Sequence, residues 1–325
     1  MSGIGRRHAL GLGLTVPFIA RSARAQPEWP ARPLRLVSPF TAGGGGDSAA
    51  RPLAAKLGEL LGQTVFVENR TGGNAVVAAS SVLGSPRDGY SYLLDAANQI
   101  TNPLLLRDLP FDYRTAFVPV TLTARFPQVV AVKSDFPART IHEFIEYVRA
   151  RPGTVSCGTP PAAGSGHLAL ALLEQKAGLR LLHVPYRGGA DAARDIMGGQ
   201  LDAIILTSST ARGPIQAGKA RVLAMTSTER SPAYPGVPTL DESGFPGFDM
   251  DDWNGLFAAE GAPRAILPKL QAAVAEACRD AGVQARMAPL GTVLVGNSTA
   301  EFTAWLERQR AVVTQVIREA NITLG

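Results

Sequence analysis

The feature that most constrains this chain is the segment from Leu34 to Leu61. An apolar run, Leu34–Ser38, leads into Pro39-Phe-Thr-Ala-Gly-Gly-Gly-Gly46 and then into a helical pattern from about Asp47 to Leu61. A short apolar run bounded by turn residues reads as a buried strand, and the apolar spacing after it reads as a helix. A strand that feeds through a glycine loop straight into a helix is half of a βαβ unit, which requires a parallel partner strand and a covering helix layer. Further strand candidates are Thr64–Val67, Ser91–Asp95, Gln128–Val132, Val155–Gly158, Leu181–Val184, Ala203–Leu206 and Arg221–Thr226, with helical patterns between several of them. Thr140 with Glu143, and Ser298 with Glu301, have capping-box spacing and open helices running to Ala150 and to near Ala320. The alternation predicts an α/β fold with parallel-rich sheets covered by helices on both faces.

A second unit looks like the first. Val155 to Gly178 carries the loop Thr159-Pro-Pro-Ala-Ala-Gly-Ser165, again rich in small residues and again feeding a helix. The two loops lie more than 100 residues apart, which suits two domains. A domain change near Arg125–Gln128 and a return near Phe248–Trp253 would make the second an insertion, giving one lobe of residues 26–126 plus 250–325 and another of 127–249. The Pro/Gly-rich stretch Pro232 to Pro246 reads as a surface loop or crossover.

The first 25 residues read as a secretory signal, with Arg6-Arg7, an apolar stretch Ala9 to Ala20, and an A-x-A cleavage site at Ala23-Arg24-Ala25. The alternative, a buried N-terminal helix, is weakened by Gly11, Gly13 and Pro17. The paired arginines leave general and twin-arginine export both open. The segment also holds Arg6, Arg7, Arg21 and Arg24 and no acid, so the net charge of +5 falls to +1 after cleavage. No basic run remains that argues for nucleic acid or an anionic membrane, and no later apolar run is long enough to span a bilayer. Cys157 and Cys278 are the only cysteines; an oxidising compartment would permit them to pair, but one bond is no framework and two buried thiols is the preferred reading.

The glycine loop is where chemistry is expected. A helix N-terminus presents unpaired N–H groups and a partial positive charge, and glycines let an anion approach the backbone. A tight turn without a ligand is the plainer alternative, but four consecutive glycines exceed what a turn needs. Gly44-x-Gly46-x-x-Ala49 also fits the relaxed dinucleotide fingerprint, with Glu68 near the place of a ribose-binding acid. An exported NAD(P)-dependent oxidoreductase therefore stands as a rival reading. Against it, Asp47 opens the helix, where its carboxylate can cap N–H groups and repel a pyrophosphate. No Gly-Lys-Ser/Thr follows, which excludes a phosphate-binding P-loop. His142-Glu143-Phe-Ile-Glu146 lacks the second histidine of a zinc motif, and Gly164-Ser165-Gly166 is not a nucleophile elbow. Cys157 with His167 reads as a buried strand thiol and a helix-start imidazole rather than a reactive pair. Asp47 and Arg51 are spaced to pair on one helix. Phe40, Tyr186 and Trp253 could each wall a pocket or sit in a core.

Taken in order, Pro39-Phe-Thr-Ala-Gly-Gly-Gly-Gly-Asp47, Ala50-Arg51, Glu68-Asn-Arg70, Arg87-Asp-Gly-Tyr90, His183-Val-Pro-Tyr-Arg-Gly188, Gly198-Gly-Gln-Leu-Asp202, Ala217-Gly-Lys-Ala-Arg221, Val237-Pro-Thr239, Glu242-Ser-Gly244 and Trp253-Asn-Gly255 resemble the tripartite tricarboxylate transporter receptors, the Bug family of periplasmic solute-binding proteins. The resemblance covers essentially the whole chain after the signal. It implies two Rossmann-like lobes of the periplasmic binding protein type (type II), with a ligand cleft between them. It implies a carboxylate held between the two β–loop–α turns: Phe40, Thr41, Ala42, Gly43 and Gly44 on the first, and Thr159 to His167 on the second, with Thr159, Ala163, Ser165 and His167 as contacts. Asn98, Tyr186, Asp202 and Thr207 would reach the rest of the ligand, although Asp202 could equally be a structural strand-start residue. The chain departs from the family at Thr41, usually Pro, at the short Thr71-Gly-Gly-Asn74, and at Pro160-Pro161-Ala162-Ala163, where the family is Ser/Gly-rich. Two prolines remove two N–H donors, which predicts a stiffer second loop.

The implied function is capture of a small carboxylate in the periplasm by lobe closure and delivery to membrane permease subunits, by a monomer without enzymatic activity, metal or cofactor. With no dense Arg/Lys cluster near either loop, a mono- or dicarboxylate is favoured over a tricarboxylate. A ligand-sensing receptor would share the same site chemistry.

Overall fold

The structure is a computed structural model and describes residues 28–324. The signal-peptide expectation falls on residues 1–25, outside the described residues. The strands are β1 (Leu34–Ser38), β2 (Val65–Asn69), β3 (Ser91–Asp95), β4 (Phe117–Phe126), β5 (Gln128–Lys133), β6 (Ser156–Thr159), β7 (Leu182–Pro185), β8 (Ala203–Thr207), β9 (Ala220–Met225), β10 (Asp252–Ala259) and β11 (Val293–Leu294). The α-helices are α1 (Gly45–Leu61), α2 (Val76–Leu83), α3 (Asn98–Leu105), α4 (Tyr113–Ala116), α5 (Ile141–Arg149), α6 (Ser165–Ala177), α7 (Gly189–Met197), α8 (Ser208–Gln216), α9 (Leu267–Arg279), α10 (Ala281–Met287) and α11 (Thr299–Glu319).

Two sheets result. The first runs β11-β4-β10-β3-β1-β2 and the second β7-β6-β8-β5-β9. Only part of each is parallel. In the first sheet β1 pairs in parallel with β2 and β3, while β10 lies antiparallel between β3 and β4. In the second sheet β6 pairs in parallel with β7 and β8, while β5 runs antiparallel to β8 and β9. The sheets are thus mixed rather than parallel-rich, and the parallel portions carry the two strand–loop–helix units.

The chain crosses from one sheet to the other at Pro127, between β4 and β5, and returns through residues 249–251 into β10. β4 and β10 escape strand patterning because Pro119 and Gly255 interrupt them. The β10/β4 register slips between Asn254 and Gly255 and between Leu256 and Phe257, and Pro119 sits opposite Phe257. Bulges absorb residues that a regular ladder rejects. A side chain at Gly255 would meet the Phe302 ring at 2.5 Å, so its absence lets the aromatic group of Trp253, Phe257, Phe302 and Trp305 close. Trp253 is therefore core, not pocket wall.

Strand alternation divides the core. Leu34, Leu36, Tyr92 and Leu94 face α1 and α9, while Val37 and Leu93 face the opposite layer. Val129 and Ala131 face α7 and α8, whereas Val130 and Val132 join the α5–α6 side. That last cluster continues through α6 into α11 and across both lobes, and Gln175 Nε2 on α6 donates to the Val316 carbonyl of α11 (3.3 Å).

Local signals hold with one change. Ser298 and Glu301 form the full reciprocal capping box. Thr140 accepts from the Glu143 N–H, but Glu143 reaches the Arg139 N–H (2.6 Å) instead of closing the box. Pro232–Pro246 is more than a surface loop, since it buries Leu240 completely. Cys157 and Cys278 are both buried and free. No helix of the described residues is long and apolar enough to cross a membrane.

Candidate functional site

The two loops are built alike, atom for atom. In the first, Gly44 N–H donates to the Thr41 carbonyl (3.0 Å), Gly43 N–H donates to the side chain four residues on, Asp47 Oδ2 (2.9 Å), and Ser48 N–H donates to the Gly44 carbonyl (2.8 Å). In the second, Gly164 N–H donates to the Pro161 carbonyl (2.9 Å), Ala163 N–H to His167 Nδ1 (3.1 Å), and Leu168 N–H to the Gly164 carbonyl (3.0 Å). Gly43 and Ala163 occupy the same left-handed position, φ +79° and +59°. The helix caps Gly44 (φ −69°, ψ 170°) and Gly164 (φ −76°, ψ 169°) superpose in conformation. A side chain on Gly46 would strike the Phe40 ring (2.5 Å), and one on Gly166 would strike Pro160 Cδ (2.7 Å).

The consequence is two equivalent anion-receptive turns. Neither α1 nor α6 has a side-chain cap, so the first-turn N–H groups of both are left without a side-chain acceptor. Asp47 therefore does not cap its helix. It is 2 % exposed and spends its oxygens on the loop N–H of Gly43, on Arg51 Nε (2.8 Å) and on Asn69 Nδ2 (2.8 Å). Burial opposes its charge, but the Arg51, Gly43 and Asn69 bonds win and hold the carboxyl below its usual range. Pro160 supplies packing under Gly166 and Pro161 a carbonyl for Gly164 N–H, while the N–H that the equivalent Phe40 donates to Ser38 Oγ (3.3 Å) is lost at Pro160.

The turns meet at a cleft of ≈450 Å³. Pro39, Phe40, Gly72 to Ala75, Asn98, Thr101, Asn102 and Leu324 line it from the first lobe, and Pro161 to Gly164 and Arg187 from the second. Gly72, Gly73, Asn74 and Ala75 all have positive φ (112°, 55°, 49°, 72°), a bent stretch that turns the chain into α2. Asn98 is not on a loop but opens α3. Below it, fully buried Asp95 accepts from Ala96 N–H (2.9 Å) and Gln99 Nε2 (2.9 Å), and burial pushes its carboxyl up to about 7. Asn102 is fully buried; its amide donates to the Asn74 carbonyl (2.7 Å) and to Tyr113 Oη (2.9 Å), and its Oδ1 has no partner among the described residues.

Of the residues expected from sequence, Phe40, Asn98 and Ala163 line the cleft, and Thr41, Ala42, Gly43 and Gly44 lie on the loop that Phe40 begins. The others are occupied elsewhere. Thr159 Oγ1 bonds the Pro160 carbonyl (3.0 Å) and His183 Nε2 (2.8 Å). Ser165 Oγ donates to Asp252 Oδ1 (2.9 Å), tying the start of α6 to β10. Tyr186 Oη donates to Asp195 (2.7 Å). Thr207 bonds Thr210 Oγ1 (2.8 Å) at the start of α8. Asp202 sits at the Ser156 end of β6, opposite the loop end, where it accepts from Ser156 N–H and Oγ (3.0 Å each) and pairs with Lys133 (2.9 Å). Its role there is to join strands. Thr101 and Asn102 have no signal in the sequence, whereas Gly72 to Asn74 and Arg187 lie in segments that the family resemblance includes without marking them as contacts.

His167 acts inside the second loop. Because Nδ1 accepts from Ala163, its proton sits on Nε2, and its ring stacks on His183 at 4.0 Å. Burial, and then His183, push its imidazole from 6.5 down to about 4. Between those values the unfolded chain holds a proton that the folded one lacks, so this contribution to stability is full above about 6.5 and is lost as pH falls toward 4. His167→Asn keeps an acceptor for Ala163 without the titration. Its unfolding midpoint is expected to fall less steeply than wild type over that window in a thermal-melt series; parallel curves would contradict this role.

The family profile described as "Tripartite tricarboxylate transporter family receptor" matches residues 49–322. A UPF0065 protein from the tcbD-tcbE intergenic region of Pseudomonas sp. (strain P51) is 34% identical over 328 residues, covering 99% of this chain and 97% of that one. Among solved structures, R. palustris Rpa4515 with adipate is 32% identical, covers 91% of this chain and 99% of its own, and superposes with a TM-score of 0.79. The periplasmic binding protein BugD is likewise 32% identical, with the same coverage and a TM-score of 0.75.

Proposed function

This chain belongs to the tripartite tricarboxylate transporter receptor family of periplasmic solute-binding proteins, and we propose that its cleft captures a small organic mono- or dicarboxylate. The observation that carries the reading is the matched pair of loops facing one cleft. Each offers uncapped helix N–H groups to an anion, and a carboxylate oxygen accepts such bonds at short range. The adipate held by the R. palustris relative supports an acid of this size. The loops and their parent lobes, 26–126 plus 250–325 and 127–249, close as jaws on the ligand and exclude water, which strengthens each bond. The loaded monomer is then offered to permease subunits in the membrane, with no chemical conversion and no cofactor.

Two features weigh against a dinucleotide. The Phe40 ring fills the space over Gly46 that a pyrophosphate would need. Glu68, the candidate ribose ligand, is paired with Arg35 (3.0 Å) and with Arg70. Isothermal titration of the protein with mono-, di- and tricarboxylates is expected to give one site per chain for at least one of the smaller acids. Tight citrate binding with no response to simpler acids would overturn the size preference, and NADH binding in their place would overturn the reading.

A further inference from the structure

Arg187 is the only charged residue lining the cleft among the described residues, and no acidic side chain there pairs with it. Its backbone is held from both sides. Tyr186 N–H donates to the Thr159 carbonyl (2.9 Å), Tyr186 Oη is anchored on Asp195, and Gly188 caps α7. The facing wall in the first lobe is polar but uncharged, with Asn74, Asn98, Thr101 and Asn102. The acids nearest the first loop and α3, Asp47 and Asp95, are buried and already bonded. A guanidinium left free in a cleft whose loops already receive one anion is suited to a second planar anion, which its fork can bind in two-point fashion.

We infer that Arg187 is a specificity-determining residue that binds the second carboxylate of the ligand, so that the cleft prefers dicarboxylates to monocarboxylates. This rests on the carboxylate reading above. The first carboxylate takes the loop N–H groups of both lobes and the second takes Arg187 on the second lobe, so a diacid makes a contact that a monoacid lacks. A monoacid fills the loops and leaves Arg187 in water.

The test is calorimetric titration of wild type, Arg187→Gln and Arg187→Lys with straight-chain diacids and with their mono-methyl esters. Arg187→Gln is expected to weaken diacid binding on the order of 10- to 100-fold, with the half-esters changed less than about 3-fold. Arg187→Lys is expected to recover part of the loss. Equal effects on diacid and half-ester, or no effect on either, would overturn the assignment while wild-type diacid binding left the carboxylate reading standing. Failure of wild type to bind any mono- or diacid would remove both.

Discussion

Arg125→Met is expected to lower the unfolding free energy by about 3–5 kcal/mol, the usual cost of stranding a buried charge by removing its partner. Arg125 stands next to last in β4, just before the chain leaves the first sheet, and it pairs with both Asp249 and Asp251 on the segment that returns, the latter at 3.0 Å. Asp251 is 2 % exposed at its side chain and also accepts from Thr226 Oγ1 (3.1 Å). Neighbouring bonds stitch the same place, with Gln128 Nε2 donating to the Met250 carbonyl (2.9 Å) and Thr226 N–H to the Gln128 carbonyl (3.0 Å). Both interlobe connections thus converge on one guanidinium.

The effect has a pH signature. Burial pushes the Asp251 carboxyl up to about 6 even with Arg125 beside it. A carboxyl raised on folding loses stability as pH climbs from its unfolded value to its folded one. Without Arg125 the folded value rises further, so the loss continues where wild type has levelled off. Chemical denaturation of Arg125→Met is therefore expected to show its smallest deficit near pH 5 and a growing one above 6. Asp251→Asn in the same background restores most of it. A deficit independent of pH, or none, would mean the ion pairs do not hold the crossovers.

The second large effect is on ligand capture. A Cβ at Gly46 would lie 2.5 to 2.9 Å from three atoms of the Phe40 ring, on the first turn of α1. Gly46→Val therefore drives the ring off its seat, and Phe40 already lines the cleft. Overpacking costs typically about 1–3 kcal/mol of stability, while affinity for the acid that wild type binds is expected to fall by roughly 100-fold or more, since a misplaced anchor loses every bond it oriented. Melting and titration of the same sample separate the two. A variant that melts near wild type and binds normally would show that Phe40's position is irrelevant to capture.

Much of this was legible in the amino-acid sequence, and the failures have physical reasons. Strand, small-residue loop and helix occur contiguously at Leu34–Leu61 and Val155–Gly178, so local pattern sufficed for both turns. Their identity was partly hidden, because one loop uses Gly43 and Asp47 where the other uses Ala163 and His167 for the same bonds. β4 and β10 were invisible because Pro119 and Gly255 break strand patterning, and only the bulged pairing between them makes those residues admissible. Asp202 and Tyr186 have the side chains of ligand contacts, but Lys133 and Asp195, distant or on another element, occupy them. Asn102 carries no local signal, and the His183–Gly188 motif does not mark Arg187 as a contact, since lining a cleft is a property of tertiary placement.

The most direct measurement is mass spectrometry of the small molecules released when gently purified protein is denatured. A carboxylic acid released from wild type at close to one per chain, and absent from Gly46→Val, is the predicted result. A nucleotide released in its place, or the same acid retained by the variant, would contradict capture between the two loops.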